Sequence, residues 1–201
     1  MGGEETDVPR VLIVDDEPDV ADLYAHRLDV QYEVTVANDG TTALEILDSE
    51  SVDVMLLDRR MNGITGDEVL ETARETGHDC RIIMITAIDP DVDIVEMPFD
   101  DYLCKPIGRE TLLEAIEHQL IAKEYGETIQ ELFSATAKLG VLRADKPAEE
   151  LESLSEYQAL KSRIETLRAE NRDRLDELGD FEVAFNEIDR GPKQPERSRQ
   201  R

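Results

Sequence analysis

The sequence predicts a doubly wound α/β domain, a five-stranded parallel sheet with helices on both faces, followed by an all-helical extension. Three observations carry this. Five short apolar runs, VLIV (11–14), VTVA (34–37), VMLL (54–57), IIMI (82–85) and DYLC (101–104), recur between helix-like segments. The first four are rich in Val, Ile, Leu and Met with little alternation, the pattern of strands buried on both faces. Strand signals stop after about residue 121, and the remainder reads as helices.

The elements follow in order. Asp39-Gly40 precedes TTALEILDSE, with Asp39 the expected N-cap. Gly66 leads into DEVLETARET, where Val69, Leu70 and Ala73 share a face. The segment DPDVDIVEMPFD (89–100) carries Pro90 and Pro98, so a short or irregular fourth helix is expected. Gly108 opens RETLLEAIEHQLIAKEYGETIQELF, with a stripe of Leu112, Ile116, Leu120 and Ile121. A break is expected within LGVLRADKP (139–147), at Gly140 and Pro147. Ser155 with Gln158 forms a capping-box pattern before the next helix. There Leu160, Ile164, Leu167, Asn171, Arg174 and Leu178 fall at heptad spacing. Two arrangements fit: a coil between two copies of the chain, with Asn171 setting register, or one amphipathic helix packed on its own chain. The expected organisation is an α/β domain over 8–121, a helical domain over 122–189, and a disordered basic tail, RGPKQPERSRQR, over 190–201.

Charge narrows the function. The net charge is −26, and residues 1–120 hold 30 acidic against 8 basic side chains, whereas 121–201 hold 18 against 14. Such a surface repels nucleic acid and anionic membrane, so neither is an expected partner. An acidic, lysine-poor surface also suits concentrated salt, where screening removes self-repulsion. The N-terminal MGGEETDVPR lacks the apolar stretch of a signal peptide, and no run of ~18 apolar residues occurs, so membrane insertion is not expected. Cys80 and Cys104 sit in apolar contexts and read as buried reduced thiols, which fits the cytoplasm. His26, His78 and His118 are scattered, without metal-ligand spacing.

In a doubly wound sheet, ligands bind beyond the carboxyl ends of the strands. Strand 1 runs into Asp15-Asp16, strand 3 ends at Asp58, strand 4 at Thr86-Ala87, and Lys105-Pro106 follows strand 5. Three carboxylates, a hydroxyl and an ammonium are thereby expected at one rim. Neighbouring carboxylates repel unless a cation sits among them, and Mg²⁺ suits an all-oxygen cluster. The ion would bridge a carboxylate to an incoming phosphoryl group, and an aspartate can accept that group as an acyl phosphate. Any one of these acids could equally be a helix cap, as Asp16 could.

At these residues the chain resembles a response-regulator receiver domain of two-component signalling, which is flavodoxin-like in fold. VLIVDDEPDV, ANDGTTAL, LLDRRMNGITG, IIMITA and DYLCKPI carry the resemblance. It implies that Asp58 is the phospho-acceptor, fed by a sensor histidine kinase. Asp15, Asp16, Asp58 and the backbone carbonyl of Arg60 would hold Mg²⁺. Thr86 and Lys105 would meet the phosphoryl group, Lys105 would precede a cis bond to Pro106, and Tyr102 would be the switch aromatic. The stretches AKEYGETIQELF, LSEYQALKSRIETLR and DFEVAFNEI resemble the HalX domain, a helical module that follows receivers in halophilic archaea. Three departures stand out. Asn62 stands where the family has proline, and its tolerance of left-handed geometry would close the loop. The stretch between Thr86 and Lys105 is short, which puts a standard dimer through that face in doubt. Arg59 and Arg60 follow the acceptor, where an apolar residue is usual next to it. Arg60, with Ile88, would either shield the acyl phosphate from water or pair with surface acids. Against a switch stand an aspartyl-phosphate phosphatase, a transcription regulator acting through the helices, and a phosphorylation-independent scaffold. The position two residues after the acceptor, often acidic in such phosphatases, is Arg60.

Overall fold

The computed structural model describes residues 8–88, 90–172, 175 and 180–191. Five strands, β1 (Arg10–Val14), β2 (Glu33–Ala37), β3 (Val54–Leu57), β4 (Arg81–Thr86) and β5 (Asp101–Cys104), form one parallel sheet in the order β2-β1-β3-β4-β5. Every residue of β3 and β4 is buried, as the unalternating runs predict, while β2 at the edge is half-exposed.

Helices α1 (Pro18–Leu28), α2 (Gly40–Ser49) and α3 (Gly66–Glu75) begin where local chemistry starts them. Asp39 caps α2 by accepting from the Thr42 amide at 2.9 Å. A capping box at α3 pairs Thr65 with Glu68, a T-x-x-E signal present in the sequence but not read there. Among its described residues, the stretch after β4 makes only a 3₁₀ turn, Val92–Val95, in keeping with its two prolines.

The run after Gly108 divides at Glu124–Gly126 into α4 (Arg109–Lys123) and α5 (Glu127–Asp145). The break expected within 139–147 falls at its Pro147 end: α5 passes through Gly140 and ends before Pro147, whose ring cannot continue a helix. Among the described residues, short α6 (Ala148–Leu151), α7 (Ser155–Glu170) and α8 (Asp180–Glu187) follow. The capping box expected at Ser155 is not formed. Ser155 turns its hydroxyl to Glu156, and Gln158 reaches back to the Glu152 carbonyl.

Two cores lie on the two faces of the sheet. One takes Leu47, Val69 and Leu70 from α2 and α3, the other Tyr24 and Leu28 from α1 and Leu112 and Ile116 from α4. Helix α5 belongs to both: Leu132 and Leu142 enter the first core, Ile129 and Phe133 the second. It therefore runs beside β5 and closes that side of the sheet, where the 3₁₀ turn leaves room. Leu160, Ile164, Leu167 and Asn171 bury against the same chain, and Asn171 accepts from Thr128 of α5 at 2.9 Å. The heptad face is thus an intramolecular seam. Arg174 and Leu178 lie outside the described residues.

Of the tail expected over 190–201, Arg190 and Gly191 are packed, and the rest lies outside the described residues. Arg190 is buried because Asp101, fully buried in β5, receives its guanidinium at 2.6 and 3.0 Å. The Arg190 carbonyl also accepts from the Cys104 amide at 3.1 Å on the open side of β5. Cys80 and Cys104 are both buried and are not joined by a disulfide. No described helix is long and apolar enough to cross a membrane.

Candidate functional site

Parallel register builds the site. Val14 pairs with Leu57, so the residues that leave β1 and β3 emerge side by side, and the Asp58 amide donates to the Val14 carbonyl at 2.9 Å. Asp15, Asp16 and Asp58 each offer a carboxylate oxygen within 4.8 Å of the others. Lys105 arrives from the end of β5 and bridges Asp15 at 2.7 Å and Asp58 at 3.0 Å. The Lys105–Pro106 bond is cis.

Each acid is held differently. Asp15, fully buried, accepts from the Glu17 amide at 2.9 Å. Asp16 is not a helix cap, since Glu17 holds that position in α1. It accepts instead from the backbone and side chain of Asn62, at 3.0 and 2.6 Å. This changes the role expected of Asn62: Gly63, at φ 81°, takes the left-handed geometry, and Asn62 ties the loop to the acid cluster. Gly66 fixes the other end of that loop. A Cβ there would lie 2.0 Å from the Asp58 carbonyl oxygen, so only glycine lets α3 approach the acceptor strand.

Burial raises Asp58 above the ordinary carboxylate range; Lys105 pulls it down, and the Asp15 charge adds to the rise. For Lys105, burial acts downward, but the Asp15 hydrogen bond and the Asp58 charge outweigh it and raise the ammonium. One ammonium thus serves two buried carboxylates, with a third beside them. An oxygen-only donor set carrying this excess negative charge fits a hard divalent cation such as Mg²⁺.

A cavity of about 480 Å³ opens over Asp58, lined by Glu17, Arg60, Thr86, Ala87, Ile88 and Lys105. Thr86 is buried at its wall, and its hydroxyl accepts from the Ile88 amide at 3.2 Å. Tyr102 lies behind the wall, fully buried, and donates to the Ile88 carbonyl at 3.2 Å. Burial raises its phenol strongly.

The two arginines separate. Arg59, nearly buried, pairs with Asp67 at 3.0 Å and with Asp93 of the 3₁₀ turn. Arg60 is exposed at the cavity rim, and its amide lies 3.4 Å from Asp58 Oδ1. Chemically, the cavity presents a carboxylate nucleophile, a neutralising ammonium, a hydroxyl and a cation-binding edge. Glu17 was not anticipated, although its place directly after Asp15-Asp16 was a signal. The partners of Arg59 and Asn62 had none, because they lie on distant elements.

Comparison with known proteins agrees with this geometry. The response regulator receiver domain family matches residues 11–117, and the HalX domain family matches residues 122–185. A putative transcriptional regulator from Haloferax volcanii is 42% identical over 188 residues, which is 90% of this chain and 32% of that protein. The sensor histidine kinase TmoS of Ectopseudomonas mendocina is 32% identical over 135 residues, 65% of this chain and 14% of that protein. The chain thus spans about a third or less of the length of these relatives. Among solved structures, a CheY-like receiver domain protein from Methanospirillum hungatei is 29% identical with a TM-score of 0.56, covering 59% of this chain and 98% of that one. The response regulator TrrA from Thermotoga maritima, in complex with Mg²⁺ and BeF, is 33% identical with a TM-score of 0.52, covering 56% of this chain and 99% of that one.

Proposed function

Because the chain belongs to the response regulator receiver family and continues into a HalX domain, we propose that it is a phosphorylation-driven switch whose acceptor is Asp58. The observation that carries this is the meeting of Asp15, Asp16, Asp58 and Lys105, with Asp58 and Lys105 lining an open cavity.

In the proposed reaction an Asp58 oxygen attacks the phosphorus of a phosphohistidine on a partner kinase. A P–O bond forms, the P–N bond breaks, and the imidazole nitrogen keeps the electron pair. Lys105 neutralises the arriving oxygens, and Thr86 is placed to hydrogen-bond one of them. Asp15, Asp16, Asp58 and the Arg60 carbonyl would hold Mg²⁺, which would offset the charge of the phosphoryl group. Similarity to a sensor histidine kinase supports such a partner. The setting we propose is the cytoplasm. The protein is a switch rather than an enzyme with its own substrate. Arg60 and Ile88, at the rim, slow the approach of water to the acyl phosphate.

Mass spectrometry after incubation with a small phosphodonor and Mg²⁺ tests the proposal. The expected result is one added phosphoryl group on the parent and none on Asp58→Asn. Turnover of small phosphomonoesters would instead indicate a phosphatase. The description of the Haloferax relative as a putative transcriptional regulator favours a second reading of the output, in which the helices act in transcription. A DNA mobility shift at high salt decides that point.

A further inference from the structure

The 3₁₀ turn Val92–Val95 is gripped from two directions. From the acceptor side comes Arg59, the residue directly after Asp58, whose guanidinium reaches the Asp93 carboxylate. From the helical extension comes Lys138 of α5, whose ammonium donates to the Val95 and Met97 carbonyls at 3.0 and 2.6 Å. Lys146, just beyond α5, adds an ion pair with Asp91 at 3.3 Å. Three cations therefore hold one four-residue turn.

The turn has little strength of its own. Its backbone bonds are long, 3.2 Å from Ile94 to Asp91, 3.4 Å from Glu96 to Asp93 and 3.3 Å from Met97 to Ile94. Its position is set by side chains: Ile94, which is fully buried, and the charged groups around it. Lys138 is itself nearly buried, with its ammonium 5.0 Å from the Phe99 ring centroid. An amine in such a place is costly when its partners are lost, so the grip is either made or broken rather than stretched.

We propose that this turn is the coupling element between the acceptor and the helical extension. It rests on the phosphoryl-acceptor function above. A phosphoryl group on Asp58 adds negative charge one residue before Arg59; that field attracts the guanidinium and repels the Asp93 carboxylate, and so weakens their pair. Release of Asp93 frees the turn at that end, and the displacement passes to the carbonyls that Lys138 holds. Helix α5 and the α7 packed on it are then repositioned. Coupling of this kind is reciprocal: what the phosphoryl group does to the grip, the grip does to phosphoryl binding.

Beryllofluoride with Mg²⁺, titrated at high KCl into the full chain and followed by ¹⁹F NMR, provides the test. Asp93→Asn and Lys138→Met each remove a contact that holds the unmodified arrangement, so each is expected to tighten beryllofluoride binding about fivefold. Lys123→Met removes a lysine that pairs with Asp53 at the opposite end of the sheet, and leaves the affinity at the parental value. Addition of beryllofluoride to the parent is expected to speed amide exchange at Val95–Met97. Asp93 is half-exposed, so its variant folds even where Lys138→Met does not. If the parent binds beryllofluoride and Asp93→Asn binds it with parental affinity, the coupling is overturned. An equal shift in all variants, Lys123→Met included, overturns it as well. A parent that binds no beryllofluoride at all overturns instead the acceptor function on which the coupling rests.

Discussion

Asp58 and Lys105 lie 47 residues apart, yet both were legible because each follows an apolar strand and strand ends converge in a doubly wound sheet. Arg59 and Arg60 show the limit of that logic. Adjacent in sequence, they part in the structure: Arg59 is absorbed in ion pairs with Asp67 and Asp93, and Arg60 stays exposed over the acceptor. Only Arg60 is placed to shield an acyl phosphate, so Arg60→Ala is expected to raise the dephosphorylation rate severalfold. A loss of label at the parental rate would remove the shielding role. Lys138 was not legible at all, because the carbonyls that receive it lie more than 40 residues upstream and backbone carbonyls leave no mark in a sequence. Burial lowers its pKa from 10.5 to about 8, while Asp100 and Glu131 pull the other way. The unfolded chain therefore binds more protons at this position between those two values. Stability from this group rises with pH through that window, by at most about 1.4 kcal/mol per pH unit, and is flat below it. Urea midpoints of the parent and Lys138→Met, compared from pH 7 to 10, are expected to diverge in the parent's favour as pH rises. A pH-independent difference would exclude the lowered lysine.

At the scale of elements, the strands and the starts of α2, α3, α4 and α7 were readable from apolar runs, glycines and caps, and the errors have physical causes. Gly140 is tolerated inside α5 because Val141 and Leu142 after it are buried; packing outweighs the roughly 1 kcal/mol that glycine costs a helix. The Ser155–Gln158 pattern is a capping box in letters only, since Gln158 finds Glu152 instead. Heptad spacing in α7 was correctly a buried face, but spacing alone does not say whose surface covers it. Here α5 of the same chain does, and Leu167 is fully buried in the seam. Leu167→Ala is expected to cost about 2–5 kcal/mol, as other buried leucine truncations do, measured as a lowered denaturation midpoint at high salt. Were the seam instead formed between copies, light scattering would show a lower mass for that variant.

For the whole molecule, the acidic α/β half and the nearly balanced extension form one folded body joined along β5. Charge of −26 on 201 residues repels itself in dilute buffer and is screened in concentrated salt. Lowering KCl is therefore expected to unfold the chain, read as loss of its circular-dichroism signal; unchanged folding in dilute buffer would refute this. The total charge was plain in the sequence, whereas the closure of the sheet by α5 and Arg190 was not, since it depends on contacts such as the Arg190–Asp101 pair, 89 residues apart. That closure has a consequence for colloidal behaviour. In molar salt the screening length falls to about 3 Å, and like charge no longer keeps two molecules from touching. An uncovered strand would then be free to recruit its counterpart from a neighbour. With the Cys104 amide taken by the Arg190 carbonyl and α5 lying alongside, the helical extension covers β5 against sheet-to-sheet aggregation at salt concentrations where electrostatic repulsion fails.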